Sequence, residues 1–173
     1  DQYPNDHVPA VATVGGSFLI FVDAPRAWVG NLEAVISDGR VVLPADLTPG
    51  WYNLTLLVSG ANSTRQNSLY ITPNRADDFT FVHVTDIHTP AFWGSDIEER
   101  RQFIHTINDL GPTFVVDTGD LTDYGLEEQY CFYESIVSGL QFPLYAVPGN
   151  QETYSDSNLE RYTRHLGPTN YFF

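Results

Sequence analysis

The chain contains no lysine. Its 8 basic residues are all arginine, set against 22 acidic ones, for a net charge of −14 over 173 residues. Nucleic acid and anionic lipid are bound mainly through Lys and Arg, so a chain this acidic is expected to repel both. Excess Asp without Lys suits a protein that works in high salt, as in a halophile, where screening limits self-repulsion. The bland alternative is a merely acidic surface. Long apolar runs are lacking as well: "SFLIFV" is the longest clear one, far short of the ~18 residues a membrane helix needs. Cys131 is the single cysteine, which excludes an internal disulfide. No basic stretch precedes an apolar one at the N-terminus, so a secretory leader is expected to be absent or already removed. Two sequons, Asn53-Leu54-Thr55 and Asn62-Ser63-Thr64, are possible glycosylation sites and point to an extracellular or cell-surface location.

What is present divides at about Asn74. Residues 1–76 carry no helical signal and read as all-β. "GWYNLTLLVSG" alternates Tyr52, Leu54, Leu56 and Val58 against Asn53 and Thr55, the period-two pattern of a half-buried strand. "GGSFLIFVDAP", "WVGNLEAVIS", "RVVLP" and "SLYITP" complete a set of short strands parted by Gly, Pro, Asn and Asp. That spacing predicts a small β-sandwich. Residues 77–173 alternate instead. "DDFTFVHVTDIH", "TFVVD" and "PLYAV" read as strands. Between and after them come helices, the first opening at a Ser95-Asp96-Ile97-Glu98 capping box and running through about Leu110. The order β-α-β-α-β-α predicts a parallel sheet with right-handed crossovers. The closing aromatic run "NYFF" wants burial, and the expectation is an α/β domain that continues beyond Phe173.

Ligands of open parallel sheets sit at the carboxyl ends of the strands. The first strand delivers Asp86-Ile87-His88 there, and two residues apart on an extended chain Asp86 and His88 project to one side. The second delivers Asp117-Thr118-Gly119-Asp120-Leu121-Thr122-Asp123. The third delivers Gly149-Asn150-Gln151-Glu152. Oxygen and imidazole donors without thiolate suit Mn, Fe, Zn or Mg.

"DIH", "GDLTD" and "GN" after consecutive strands resemble the opening motifs of the calcineurin-like metallophosphoesterases, over roughly residues 79–173. The front half resembles the Ig-like domain that precedes some members. The resemblance implies an Ig-like sandwich (1–76) ahead of the N-terminal portion of a calcineurin-like phosphoesterase domain (77–173). It also implies two divalent metal ions: Asp86 and His88 on the first, Asp120 bridging, Asn150 on the second. The implied reaction is hydrolysis of small phosphate mono- or diesters by a metal-bridged hydroxide. Asp123 and Gln151 take the family's catalytic positions, but Gln151 stands where the family has His, and an amide cannot hand on a proton. General acid help is worth ~10²–10⁴-fold. The family's later G-H and G-H-x-H motifs are missing from the chain, which thus offers half a binuclear site and is expected to be inactive or weak alone. The rival expectation is a non-catalytic extracellular binding or adhesion module on a degenerate phosphoesterase-like scaffold. His83 reads as a packed imidazole or one that supports the ligands from behind, His165 as a cation favouring the end of its helix dipole, and Glu127-Glu128 as a solvated helix face.

Overall fold

A computed structural model describes residues 4–5, 7–72, 79–90, 97–171 and 173. The chain divides into two compact units that part between Asp78 and Phe79. Among the described residues, no helix is long and apolar enough to cross a membrane.

The first unit is built from β1 (Ala10–Thr13), β2 (Ser17–Leu19), β3 (Ala27–Val29), β4 (Leu32–Ser37), β5 (Arg40–Val42), β6 (Gly50–Val58) and β7 (Ala61–Thr72). Here the expected fold class is corrected. An Ig-like sandwich needs two separate sheets face to face, but these strands form one seven-stranded mixed sheet in the order β1-β7-β6-β3-β4-β5-β2. The strands join into one sheet through β4, which pairs with both neighbours. Its first half, Leu32–Ala34, pairs with β3, and its second, Val35–Ser37, with β5. The two edge strands, β1 and β2, are neighbours in sequence, parted only by Val14, Gly15 and Gly16. So short a link forces the sheet to curl until its edges approach, giving a nearly barrel-like form. Leu43 N–H donates to Gly16 O at 2.9 Å and Val14 N–H to Thr72 O at 3.2 Å, near the seam.

The alternation read in β6 decides the interior: Leu54 and Leu56 are fully buried beside Val29, Val41, Leu69 and Ile71, with Tyr52 and Val58 packed against them. "WVGNLEAVIS" is a hairpin rather than one strand, since Gly30, at φ 57°, turns the chain between β3 and β4. β1 escapes the sequence pattern, and it pairs in parallel with β7 across Ala10↔Leu69. Both sequons lie on the β6–β7 hairpin. The Asn53 side-chain oxygen accepts from Asn67 N at 2.9 Å, while Asn62 is exposed.

The second unit holds β8 (Phe81–Val84), α1 (Ile97–Leu110), β9 (Phe114–Asp117), α2 (Glu127–Val137), β10 (Leu144–Ala146) and α3 (Glu160–Leu166). Its three strands are parallel in the order β10-β9-β8. The capping box at Ser95-Asp96 lies outside the described residues. On α2 the apolar side chains serve two clusters. Phe132 and Ile136 pack with Ile104, Ile107 and Val115, and Tyr130 and Tyr133 pack with Leu121, Ala146 and Tyr162. Tyr162 also donates its hydroxyl to Ala146 O at 2.7 Å, tying α3 to the end of β10.

Candidate metal centre at the strand ends

β8 ends at Val84, so the Asp-Ile-His stretch is not the extended strand the spacing suggested. Asp86 and His88 have φ of 56° and 48°. The left-handed region is unfavourable for residues with a Cβ, at about 1–3 kcal/mol each, and such residues collect at functional sites. Asp120, in the loop after β9, has φ 54°. Of the four positive-φ non-glycine residues described in this unit, Asp86, His88, Asp120 and Leu159, three are those the sequence nominated as ligands.

The surroundings hold this backbone in place. The two loops run side by side: Asp86 N–H donates to Gly119 O at 3.0 Å, His88 N–H to Asp120 O at 2.9 Å, and Thr89 N–H to Leu121 O at 2.8 Å. Arg100, from α1, donates to the carbonyls of Ile87 at 2.6 Å and His88 at 3.2 Å.

These bonds bring donors of Asp86, His88 and Asp120 within 4.8 Å of one another. His88 Nε2 lies 3.7 Å from Asp86 Oδ1, too far for a good hydrogen bond and suited to two ligands of one ion. His88 Nδ1 faces Asp123 Oδ1 at 3.2 Å. A carboxylate on one ring nitrogen leaves the other to offer its lone pair, the usual arrangement behind a metal-bound imidazole. Two carboxylates and one imidazole, partly open to solvent, therefore fit a divalent ion of the Mn, Fe, Zn or Mg class.

The β10 loop joins through Glu152. Its side chain is fully buried, and four donors converge on it. Oε2 accepts from Asp120 N at 3.0 Å and Gly149 N at 2.7 Å. Oε1 accepts from Thr122 N at 2.9 Å and Thr122 Oγ1 at 3.0 Å. Glu152 thus fastens the loop carrying Asn150 to the loop carrying Asp120. Gln151 adds its backbone N–H to Asp120 Oδ1 at 3.1 Å, a bond available whatever its side chain. Asn150 is exposed and donates Nδ2 to Tyr154 Oη at 3.0 Å, which orients the amide.

Two glycines let these loops meet. A Cβ on Gly119, itself at φ 107°, would lie 2.6 Å from Gly149 Cα, and one on Gly149 would strike the Asp120 backbone N and carboxylate. Gly149→Ala is expected to destabilise the unit by about 2 kcal/mol, the usual scale for overpacking. A urea titration of the variant against the unmodified chain checks this.

Asp117 lies fully buried at the end of β9. Tyr133 Oη donates to its Oδ2 at 2.8 Å and Gly119 N to its Oδ1 at 3.3 Å. Burial is the main force on its carboxyl and raises the pKa to about 7. Tyr133, wholly buried, is pushed well above the usual phenol value by burial first and by Asp117 second, so it stays a donor.

Residues 79–172 match the family model described as calcineurin-like phosphoesterase. The chain belongs to the calcineurin-like phosphoesterase family. Such phosphoesterases work with divalent metal ions. Over 57 residues the chain is 40% identical to a probable glycerophosphodiester phosphodiesterase, GpdQ, of Arcobacter nitrofigilis, an alignment covering 32% of this chain and 20% of that protein. The chain thus spans about a fifth of that relative's length. Among solved structures it is similar to the purple acid phosphatase PPD1 of yellow lupin (Lupinus luteus) seeds, at 14% identity and TM-score 0.38, covering 87% of this chain and 32% of that one.

Several residues of this family member lay beyond sequence reading. Arg100 and the full role of Glu152 had no signal, because each acts on backbone groups of another loop; Gln129 acts on its own helix's lead-in turn. Gln129 Oε1 accepts from Tyr124 N at 3.0 Å and Leu126 N at 3.1 Å, shaping the turn after Asp123. His83, expected to be packed or to support the ligands from behind, is exposed and bonds Thr118 Oγ1 at 2.8 Å. Strand alternation turns it away from the α1–α2 core that Val82 and Val84 join.

Proposed function

We propose that the chain carries part of the metal centre of a phosphoester hydrolase acting on small phosphate mono- or diesters. The convergence of Asp86, His88 and Asp120 donors within 4.8 Å carries this reading. In it Asp86, His88 and Asp120 would hold a divalent ion, and Asp120 with Asn150 would serve a second. When bound, such ions supply positive charge for phosphoryl oxygens and make water a competent nucleophile near neutral pH.

The chain's own residues do the positioning. Asp123 keeps a proton on His88 Nδ1, leaving Nε2 as a ligand. Glu152 holds the amides of Asp120, Thr122 and Gly149, so both ligand loops keep their spacing. Gln151 occupies the family's proton-donor position with a group that can only hydrogen-bond a phosphoryl oxygen. Turnover is therefore best with leaving groups that need no protonation.

Asp120→Asn is expected to weaken Mn²⁺ binding by roughly 100-fold or more, since even groups outside the ligand set are worth 10–100-fold. Calorimetric titration of the chain with Mn²⁺ reads this directly. Hydrolysis of a chromogenic phosphodiester such as bis(4-nitrophenyl) phosphate should fall in parallel. Unchanged Mn²⁺ affinity in both Asp120→Asn and Asp86→Asn would overturn the assignment and favour a non-catalytic role.

A further inference from the structure

A second group of ligating side chains lies away from the strand ends. Glu127 and Cys131 are four residues apart on α2 and share one face. The last turn of α3 sets His165 over them, and one donor from each of the three lies within 4.8 Å of the others. Neither Glu127 nor His165 is spent as the sequence suggested. Glu127 is not a merely solvated residue: its Oε1 meets His165 Nε2 at 3.0 Å and its Oε2 accepts from Arg164 at 2.9 Å. His165 is more than a helix-end cation. Its ring stacks on Tyr130 at 5.3 Å and 14°, and Nδ1 faces Glu134 Oε1 at 3.2 Å.

We propose that Glu127, Cys131 and His165 form a cation site of their own, taking a borderline-soft divalent ion such as Zn²⁺ or Co²⁺, with Glu134 as a positioning residue for the imidazole. Three donor types from two helices converge, and thiolate with imidazole selects Zn²⁺ or Co²⁺ over Mg²⁺ or Ca²⁺. The thiolate separates this site from the oxygen-rich centre at the strand ends. His165 is only 11% exposed in its side chain, and its ring is fixed by Tyr130 on its face and Glu134 at one nitrogen. A carboxylate on the non-ligating nitrogen is the arrangement that orients metal-bound imidazoles. Arg164 holds one oxygen of Glu127, leaving the other turned to His165. An ion here links α3 to α2.

Cobalt tests this without interference from the other centre. Cys131 is the only cysteine, so any cobalt–thiolate charge-transfer band in the near ultraviolet reports this site. Titration of the full chain with Co²⁺ is expected to raise that band to saturation at one ion per band-forming site. The band should vanish in Cys131→Ser and persist in Asp120→Asn. Glu134→Ala should weaken cobalt affinity by roughly 10–100-fold. Zn²⁺ should also slow alkylation of Cys131. Absence of the band in the unmodified chain would overturn the proposal. So would equal cobalt affinity after both His165→Ala and Glu127→Gln, which would mean a thiol acting alone.

Discussion

Replacing Glu152 by alanine is expected to destabilise the 79–172 unit by about 3–5 kcal/mol, the upper range for a point change. The carboxylate is buried and accepts four bonds, from the backbone of Asp120, Thr122 and Gly149 and the Thr122 hydroxyl. Bonds to a charged group are each worth roughly 1.5–3 kcal/mol net, and an orphaned buried donor costs about 1–3 kcal/mol. The full sum does not apply, because the exposed Asn150 beside the site lets water reach some of the freed amides. Glu152→Gln is expected to fall between, since it turns one two-bond acceptor into a donor facing donors. Urea unfolding gives the stability change, with exposed Glu128 as the control at ±0.5 kcal/mol. Hydrogen exchange locates it: the amides of Asp120, Thr122 and Gly149 should lose protection before those of β9. Equal protection at those three amides would show that Glu152 is not what joins the loops.

The second large effect is a pH dependence set by Asp117. Its folded pKa, about 7, lies above the ordinary value of 3.8 because burial disfavours the charged form. For a group with a raised folded pKa, the stabilising contribution is complete below the unfolded value and is lost as pH rises through the folded one. Between pH 4 and 7 the folded chain therefore binds more protons than the unfolded chain, and stability falls with pH. Three units at 1.36 kcal/mol each correspond to about 4 kcal/mol. Asp117→Asn removes the titration while keeping an oxygen and an amide that can meet Gly119 N and Tyr133 Oη. The variant is expected to match the unmodified chain near pH 4 and to exceed it by about 4 kcal/mol above pH 7. Denaturant titrations in a chelator across that range test this. A stability difference that stays flat with pH would show that the carboxyl is ionised in the fold throughout.

These two residues illustrate how legibility varies along the chain. Polar stretches at the ends of apolar strands stand out in one dimension, and within them Asp86, His88, Asp120 and Asn150 were picked out by resemblance to the family's opening motifs. Asp117 sat in the same stretch without being singled out, since nothing local distinguishes a buried carboxyl from a ligand. Glu152 stood among the third strand's polar groups without a partner, because three of its four donors lie 30 and 32 residues away. Asp86 and His88 were assigned to one side of an extended strand, and they do converge, but through left-handed backbone that no spacing rule contains.

The front unit makes the same point about fold. Short strands at regular intervals are common to sandwiches and to curled single sheets, because both need one face apolar and one polar. The pairing of β1 with β7 and the two-sided use of β4 depend on register between distant segments. By itself, then, the sequence determined the acidic charge balance, the apolar periodicities of 2 and 3.6 residues and the chemistry available at the strand ends. Those properties arise from neighbours in the chain. Tertiary structure alone decided the single mixed sheet, the four-bond anchorage of Glu152, the raised pKa of Asp117 and the approach of His165 to Glu127 and Cys131. Each of those depends on distances and desolvation set by segments far apart in the chain.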